Sequence, residues 1–148
     1  MERGAESDAP GTGGCQAVTA FVDTNILVRH LTGDPPAQAQ RATRYLEGAD
    51  ELLLADLIAA ELVYVLEAYY EVPRAQVADT LRALLAFPAV RVVDPGLLQR
   101  AIEVYEVYRL DFADAYLVAS AERTGVGVVV SFDRAIDRVG TVRRDEPA

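Results

Sequence analysis

Short apolar runs alternate along this chain with longer stretches in which apolar residues recur at helical spacing. The short runs predict four strands, over residues 17–22, 52–55, 90–94 and 127–132, and the segment TVRR at 141–144 predicts a further edge strand. The longer stretches predict six helices, over residues 24–31, 35–48, 56–70, 73–87, 95–108 and 111–124, and a short helix follows Asp133. Gly48 and Gly125 stand where helix C-caps are expected.

Strands that alternate with helices are typical of an α/β fold. We expect an α/β/α sandwich on one mainly parallel sheet of four or five strands, with helices on both faces. Such a sheet is buried, and the apolar run VGVVVS at 126–131 fits that position.

The first sixteen residues differ from the rest of the chain. They are rich in Gly, Ala and polar residues and show no periodicity, which predicts a disordered leader over residues 1–16. Residues 17–148 suffice for one compact domain and contain no internal repeat.

Composition and the N-terminal residues indicate the compartment in which the protein is expected. No stretch is long and apolar enough to cross a bilayer, and the N-terminus lacks the basic start and apolar run of a secretory signal. The single cysteine, Cys15, has no internal disulfide partner. The sequence therefore predicts a protein of the reducing cytoplasm with no membrane partner.

The net charge of −9 argues against a nucleic-acid partner, because phosphate binding usually needs a basic surface. Two features weaken that objection. Acids gathered in one metal site would have their charge reversed locally by the cation. In addition, all 14 basic residues are arginine, which binds phosphate through two parallel hydrogen bonds, although genomic composition bias also explains the missing lysine.

Four acids stand at the predicted carboxyl ends of strands or in the helices just beyond, where open α/β sheets place functional groups. They are Asp23, Glu61, Asp114 and Asp133. In helical phase, Glu61 falls away from the other acids of its helix and among apolar residues, where an unpaired charge is costly. Asp114 likewise shares a ridge with apolar residues.

Each acid also has an ordinary structural explanation. An arginine would satisfy a buried Glu61. Asp111 is a candidate N-cap with Asp114 reaching back from the first turn, and Asp23 and Asp133 are candidate caps of the helices that follow them. Taken together, however, converging carboxylates would repel one another unless a cation neutralised them. An all-oxygen donor set suits Mg²⁺ or Mn²⁺, whose common use is phosphodiester hydrolysis.

At this point the sequence resembles the PIN-domain family and, within it, the VapC-type toxins. The resemblance is carried by FVDTNILVRHL, AELVYVLE, DFADAYLVASAE and VVVSFDRAID, whose order covers nearly all of residues 18–144. It implies that four acids are catalytic metal ligands, with three supporting residues beside them. The implied ligands are Asp23, Glu61, Asp114 and Asp133, and the implied supporting residues are Thr24, Asn25 and Asp111.

The resemblance further implies an Mg²⁺- or Mn²⁺-dependent endoribonuclease that cleaves RNA by metal-activated water. It also implies a homodimer and a VapB-like antitoxin partner. Five tyrosines serve either a protein interface or ordinary packing, and the sequence leaves both roles open. They are Tyr64, Tyr69, Tyr70, Tyr105 and Tyr108. We expect Asp23→Asn to abolish cleavage and to leave the fold intact.

Alternative functions are judged by residues that they require. Phosphatase and receiver-type domains resemble one another in needing a lysine near their acids, and this chain has none. A nucleotide-binding module needs a Gly-rich loop after a strand, whereas Gly11, Gly13 and Gly14 precede the first one. A PIN-type RNA-processing nuclease outside a toxin system and a non-cleaving PIN-like binding module stay open as alternatives.

Other candidate residues carry less weight. His30, the only histidine, is more typical of a structural residue than of a general base. Six arginines are candidates for phosphate contacts by their character alone. They are Arg29, Arg109, Arg134, Arg138, Arg143 and Arg144.

Overall fold

The computed structural model describes residues 19–148, which form an α/β fold. The predicted leader, residues 1–16 with Cys15, lies outside the described residues. The helices are α1 (Thr24–Thr32), α2 (Pro36–Gly48), α3 (Asp56–Ala68), α4 (Arg74–Ala86), α5 (Pro95–Val107), α6 (Phe112–Thr124) and a 3₁₀ helix (Arg134–Arg138). The strands are β1 (Thr19–Phe21), β2 (Glu51–Leu53), β3 (Val90–Arg91), β4 (Val128–Val130) and β5 (Arg143–Asp145).

All five strands pair in parallel, as the alternation of strands and helices predicted. β1, β2 and β3 form one sheet in chain order, with Thr19 opposite Glu51 and Leu52 opposite Val90. β4 and β5 form a second, two-stranded group, with Val128 opposite Arg143. Within residues 19–148 the strands are thus hydrogen-bonded as three and two, rather than as the single sheet of four or five that was expected.

The expected burial of the apolar run at 126–131 is wrong for most of its length. Val129 is buried, but Val126 and Val130 are 66% and 67% exposed. The reason is the edge position of β4: it pairs only with β5 and packs on α6, so only one of its faces is covered.

Helix boundaries follow proline, glycine and capping residues. Pro36 opens α2, and Gly125, with a φ of 76°, ends α6 in the left-handed conformation that glycine favours. Two differences from the predicted boundaries involve capping residues. Gly48 is the last residue of α2 and Ala49 caps it. β3 ends early because Asp94 serves as N-cap of α5 and accepts a hydrogen bond from Leu97 N.

The core lies between the helices and the three-stranded sheet. Each helix contributes a buried stripe, and that of α3 consists of Ala59, Leu62, Val63 and Leu66. α5 packs on α6 and α4, while α3 packs on α1, α4 and α6. α3 therefore contacts both α1, which follows β1, and α6.

No helix within residues 19–148 has the length and apolar content needed to span a membrane.

Candidate metal centre

Three carboxylates from two separate segments lie together at the start of α6. Asp111 is the N-cap residue of α6, Asp114 lies in its first turn, and Asp133 precedes the 3₁₀ helix. One oxygen from each comes within 4.8 Å of the others. We call Asp111, Asp114 and Asp133 the aspartate trio.

Capping hydrogen bonds engage some of these carboxylates and leave others unengaged. Asp111 occupies the N-cap position, but its side chain makes no capping hydrogen bond, so the capping explanation fails for it. Asp133 does cap: its Oδ1 accepts from Ala135 N at 2.9 Å, and its own N–H donates to Ser131 Oγ. The bond to Ala135 orients the Asp133 carboxylate towards α6 and still leaves it a second oxygen.

The trio carries negative charge that its protein neighbours only partly offset. Burial, a side-chain hydrogen bond with Asp133 and the charges of Asp133 and Asp111 raise the pKa of Asp114 to about 6. The pKa of Asp133 is lowered, chiefly by the Ala135 N–H, then by the hydrogen bond with Asp114 and by the charges of Arg138 and Arg144. The pKa values of the two neighbouring carboxyl groups are thus displaced in opposite directions, and a bound cation would offset the repulsion between their charges.

A second group of predicted site residues lies where β1 leads into α1. The hydroxyl of Thr24, which is only 3% exposed, donates to Glu61 Oε2 at 2.8 Å and so joins α1 to α3. Asp23 directly precedes α1 and is exposed, and its side chain makes no capping bond. Asn25 is exposed and borders a surface depression of about 450 Å³ between α1 and α2.

The burial expected for Glu61 is wrong. Its side chain is exposed, and the apolar residues near it in phase do not form the core stripe: Leu57 is 77% exposed and Ala68 is also exposed. Helical phase misplaced Glu61 because the exposed surface of α3 is wider than its other acids indicate: Glu67 lies on it, and so do Glu61 and Leu57. Glu67 and Asp56 accept hydrogen bonds from the hydroxyl groups of Tyr105 and Tyr116 respectively.

The structure thus brings together some of the predicted ligands and not others. Asp114 and Asp133 meet within the 4.8 Å grouping, and the third member is Asp111, which the sequence offered only as a supporting residue. Asp23 and Glu61 lie outside that grouping. The partner expected from the ordinary explanation of Glu61 was an arginine, and the partner observed is Thr24.

Most candidate phosphate-binding arginines already have protein partners. Arg144, with a side chain 9% exposed, pairs with Asp137 and Glu146 and donates to the Ser131 carbonyl. Arg138 donates to backbone carbonyl groups. Arg29 and Arg143 also have polar side-chain partners, Gln38 and Asp145. Within the described chain, Arg109 and Arg134 have no such partner, and both flank the aspartate trio in sequence.

The single histidine and the tyrosines follow ordinary packing. His30 Nδ1 lies 2.8 Å from Thr43 Oγ1 and links α1 to α2. Tyr105 is fully buried, whereas Tyr64 and Tyr69 stack edge to face on the surface with 62% and 73% exposure. These positions give His30 a structural role and leave the surface tyrosines free for an interface.

Sequence reasoning missed the backbone contacts that hold the segment before α6. Arg74 and Arg138 donate to backbone carbonyl groups 29 to 36 positions away in sequence, at the C-terminal end of α5 and in the loop before Asp111. Contacts of this kind have no periodic signal, because they join a side chain to the backbone rather than to a complementary residue type.

Comparison with known proteins identifies a family for most of the chain. The sequence model of one protein family, described as PIN domain, matches residues 20–142. A VapC ribonuclease of Aquifex aeolicus (strain VF5) is 24% identical over 124 residues, which cover 81% of this chain and 91% of that protein.

Two solved structures are similar to this chain at a lower level. A toxin–antitoxin complex from Klebsiella pneumoniae has 20% identity and a TM-score of 0.36, and the match covers 84% of this chain and 95% of that one. VapBC2 from Rickettsia felis, bound to a DNA fragment from its promoter, has 13% identity and a TM-score of 0.34, with 88% and 100% coverage. At these TM-scores neither likeness carries weight for this chain.

Proposed function

Because the chain belongs to the PIN domain family over residues 20–142, we propose that it is a metal-dependent endoribonuclease and the toxin of a VapC-type toxin–antitoxin pair. The observation that carries the proposal is the aspartate trio, in which burial and the neighbouring carboxylates raise the pKa of Asp114 to about 6. The likeness to a VapC ribonuclease supports RNA as the substrate.

The donor set fits a hard divalent cation. The three carboxylates offer oxygen ligands only, with no sulfur or imidazole among them. Such a donor set suits Mg²⁺ and Mn²⁺ better than it suits Zn²⁺. Asp111 offers a carboxylate that no capping bond occupies, and Asp133 retains one oxygen beyond its bond to Ala135. The trio would therefore hold the cation, and Asp23 and Glu61 would complete its surroundings from the α1–α3 side.

A divalent cation held there would lower the pKa of an attacking water, polarise the scissile phosphate and stabilise the leaving oxygen. The residues of the chain prepare the site for it. Asp114 would be held in its ionised form by a neighbouring cation, and Asp133 is oriented by the hydrogen bond from Ala135 N. Thr24 holds the Glu61 carboxylate by donating to Oε2, which fixes one oxygen and leaves the other free for a ligand or a water. We propose hydrolysis without a covalent enzyme intermediate.

The proposed partners are RNA, a VapB-like antitoxin and a second copy of the chain. Exposed apolar residues support the two protein partners, because Leu57, Tyr64 and Tyr69 leave much of the outer surface of α3 and its C-terminal end uncovered. Arg109 and Arg134 are available for RNA phosphate groups, since neither has a side-chain partner among the described residues.

The first experiment is cleavage of a mixed RNA pool by the purified protein with Mg²⁺, with Mn²⁺ and with EDTA. We expect cleavage with either cation and none in EDTA. Full activity in EDTA would contradict the metal mechanism. Absence of cleavage under every condition would direct the next experiment to the bound partner, because a binding module and a nuclease whose RNA is absent from the pool both give that result.

A second experiment separates a toxin from an RNA-processing nuclease. Expression of the chain in bacteria should stop growth, and co-expression of the small protein encoded beside it should restore growth. Cleavage of RNA without any effect on growth would favour the processing nuclease.

A further inference from the structure

The loop between α5 and α6 is held from two sides by guanidinium groups. Arg74, the first residue of α4, donates through Nη1 to the carbonyl oxygens of Tyr105 at 2.8 Å and Leu110 at 2.6 Å. Arg138, the last residue of the 3₁₀ helix, donates through Nη1 to the carbonyl oxygens of Tyr108 at 3.3 Å and Arg109 at 3.0 Å. Two side chains therefore satisfy four backbone acceptors in a six-residue stretch.

This stretch needs such support because its backbone is not in a relaxed conformation. Arg109 has a φ of 58°, in the left-handed region, which is unfavourable for a residue other than glycine. The bond from Arg138 falls on the carbonyl group of this same residue. Leu110, which is fully buried, anchors the next position in the core.

Arg138 also connects the two arms of the aspartate trio. It belongs to the element that directly follows Asp133, and the loop that it holds ends at Asp111. The carboxylates of these arms lie within 4.8 Å of one another, and their like charges repel. A tie between the arms resists their separation before any cation arrives.

We propose that Arg138 is a positioning residue of the metal centre, which fixes Asp133 relative to Asp111 and Asp114 through the carbonyl groups of Tyr108 and Arg109. Arg74 holds the same loop from the core side. Arg138 thus acts on the protein backbone through Nη1, a role that its character as a candidate phosphate contact did not indicate. The inference rests on the proposed function, because it presupposes that the trio binds a divalent cation.

The test is a calorimetric titration of the metal-free full chain with Mn²⁺ alone, on wild type, Arg138→Met, Arg138→Lys and Arg82→Met. Arg82→Met is the matched control, because it removes the same charge from the protein. The Arg82 side chain ties α4 to α5 through Glu106 at 2.8 Å, outside the trio. We expect Arg138→Met to raise the Kd for Mn²⁺ by about tenfold or more, as loss of a residue supporting metal ligands typically does. Arg138→Lys should recover part of the affinity, and Arg82→Met should bind as wild type does.

Thermal melts in EDTA separate positioning from general stability. We expect Arg138→Met to melt close to Arg82→Met, because both side chains are largely exposed surface groups. A variant that melts lower but binds Mn²⁺ with wild-type affinity would overturn the positioning role, as would equal affinity of Arg138→Met and Arg82→Met. Failure of wild type itself to bind Mn²⁺ would overturn the proposed metal centre, and this inference with it.

Discussion

The carboxylates of the aspartate trio face one another, whereas the carboxylate of Glu61 faces a hydroxyl group. In the trio, oxygens from two segments gather within 4.8 Å, and burial and like charge raise the pKa of Asp114 to about 6. On the α1–α3 side, Thr24 donates to Glu61 Oε2 at 2.8 Å and holds one acid in place. The first arrangement is unfavourable without a cation, and the second is satisfied without one. We infer that the trio provides the affinity for a cation and that the Thr24–Glu61 pair provides orientation.

The largest expected effect is loss of cleavage when either side of the site is altered. Asp114→Asn in the trio and Asp23→Asn on the α1 side should each reduce RNA cleavage at least about a thousandfold, or about 4 kcal/mol of transition-state stabilisation. Both variants should keep the wild-type circular dichroism spectrum, because neither residue packs in the core.

Asp79→Asn is the matched control, since Asp79 is a solvent-exposed acid of α4 whose pairing with Arg82 is weak. Its rate should equal that of wild type. Full activity of Asp23→Asn would confine the site to the trio, and full activity of Asp114→Asn would remove the trio from the mechanism.

The next effect concerns orientation. Thr24→Val removes the hydroxyl that donates to Glu61 and preserves the shape of a residue that is 3% exposed. We expect cleavage to fall about tenfold, with a loss of about 1 kcal/mol in the free energy of unfolding. Thr80→Val is the control, because the Thr80 hydroxyl bonds only within α4, to the Gln76 carbonyl. A rate unchanged in Thr24→Val would show that Glu61 needs no fixed orientation.

The smallest effect is on the stability of the metal-free protein. A raised pKa means that folded Asp114 binds its proton more tightly than the unfolded chain does, so the penalty of its charge is absent below the ordinary value of 3.8 and fully present above about 6. In EDTA, Asp114→Asn should therefore be more stable than wild type by on the order of 1 kcal/mol near neutral pH, after allowance for partial exposure. This gain should shrink as the pH falls from about 6 towards 4.

Thermal melts of wild type and Asp114→Asn across that pH range make the measurement. The lowered pKa of Asp133 acts in the opposite direction and at lower pH: the stability that it contributes is present above the ordinary value of 3.8 and is lost below it. A gap between the two proteins that does not change with pH would contradict the assignment of the repulsion to Asp114.

The helices could be predicted from the sequence because their signals are local. Apolar periodicity, Pro36 and Gly125 placed helix ends within one or two residues of those observed. The grouping of the strands as three and two could not be predicted in this way, since pairing depends on contacts between distant segments. The exposure of Val130 follows from that grouping.

In the candidate site, too, the residues with local sequence signals could be predicted and the long-range contacts could not. Asp114 and Asp133 were identifiable because each stands at a helix start just after a strand or loop signal, and the structure brings them together. The burial of Glu61 was predicted wrongly, because helical phase alone does not say how wide the exposed surface of α3 is. The tie from Arg138 to the Arg109 carbonyl leaves no trace in the sequence pattern at all.

The most direct test of the metal centre is a crystal structure from crystals grown with Mn²⁺ and measured at the manganese absorption edge. We expect an anomalous difference peak among the carboxylates of Asp111, Asp114 and Asp133, with metal–oxygen distances of about 2.1–2.3 Å. A manganese peak bound away from all three, or none at a concentration of Mn²⁺ that supports RNA cleavage, would contradict the claim that this trio holds the metal.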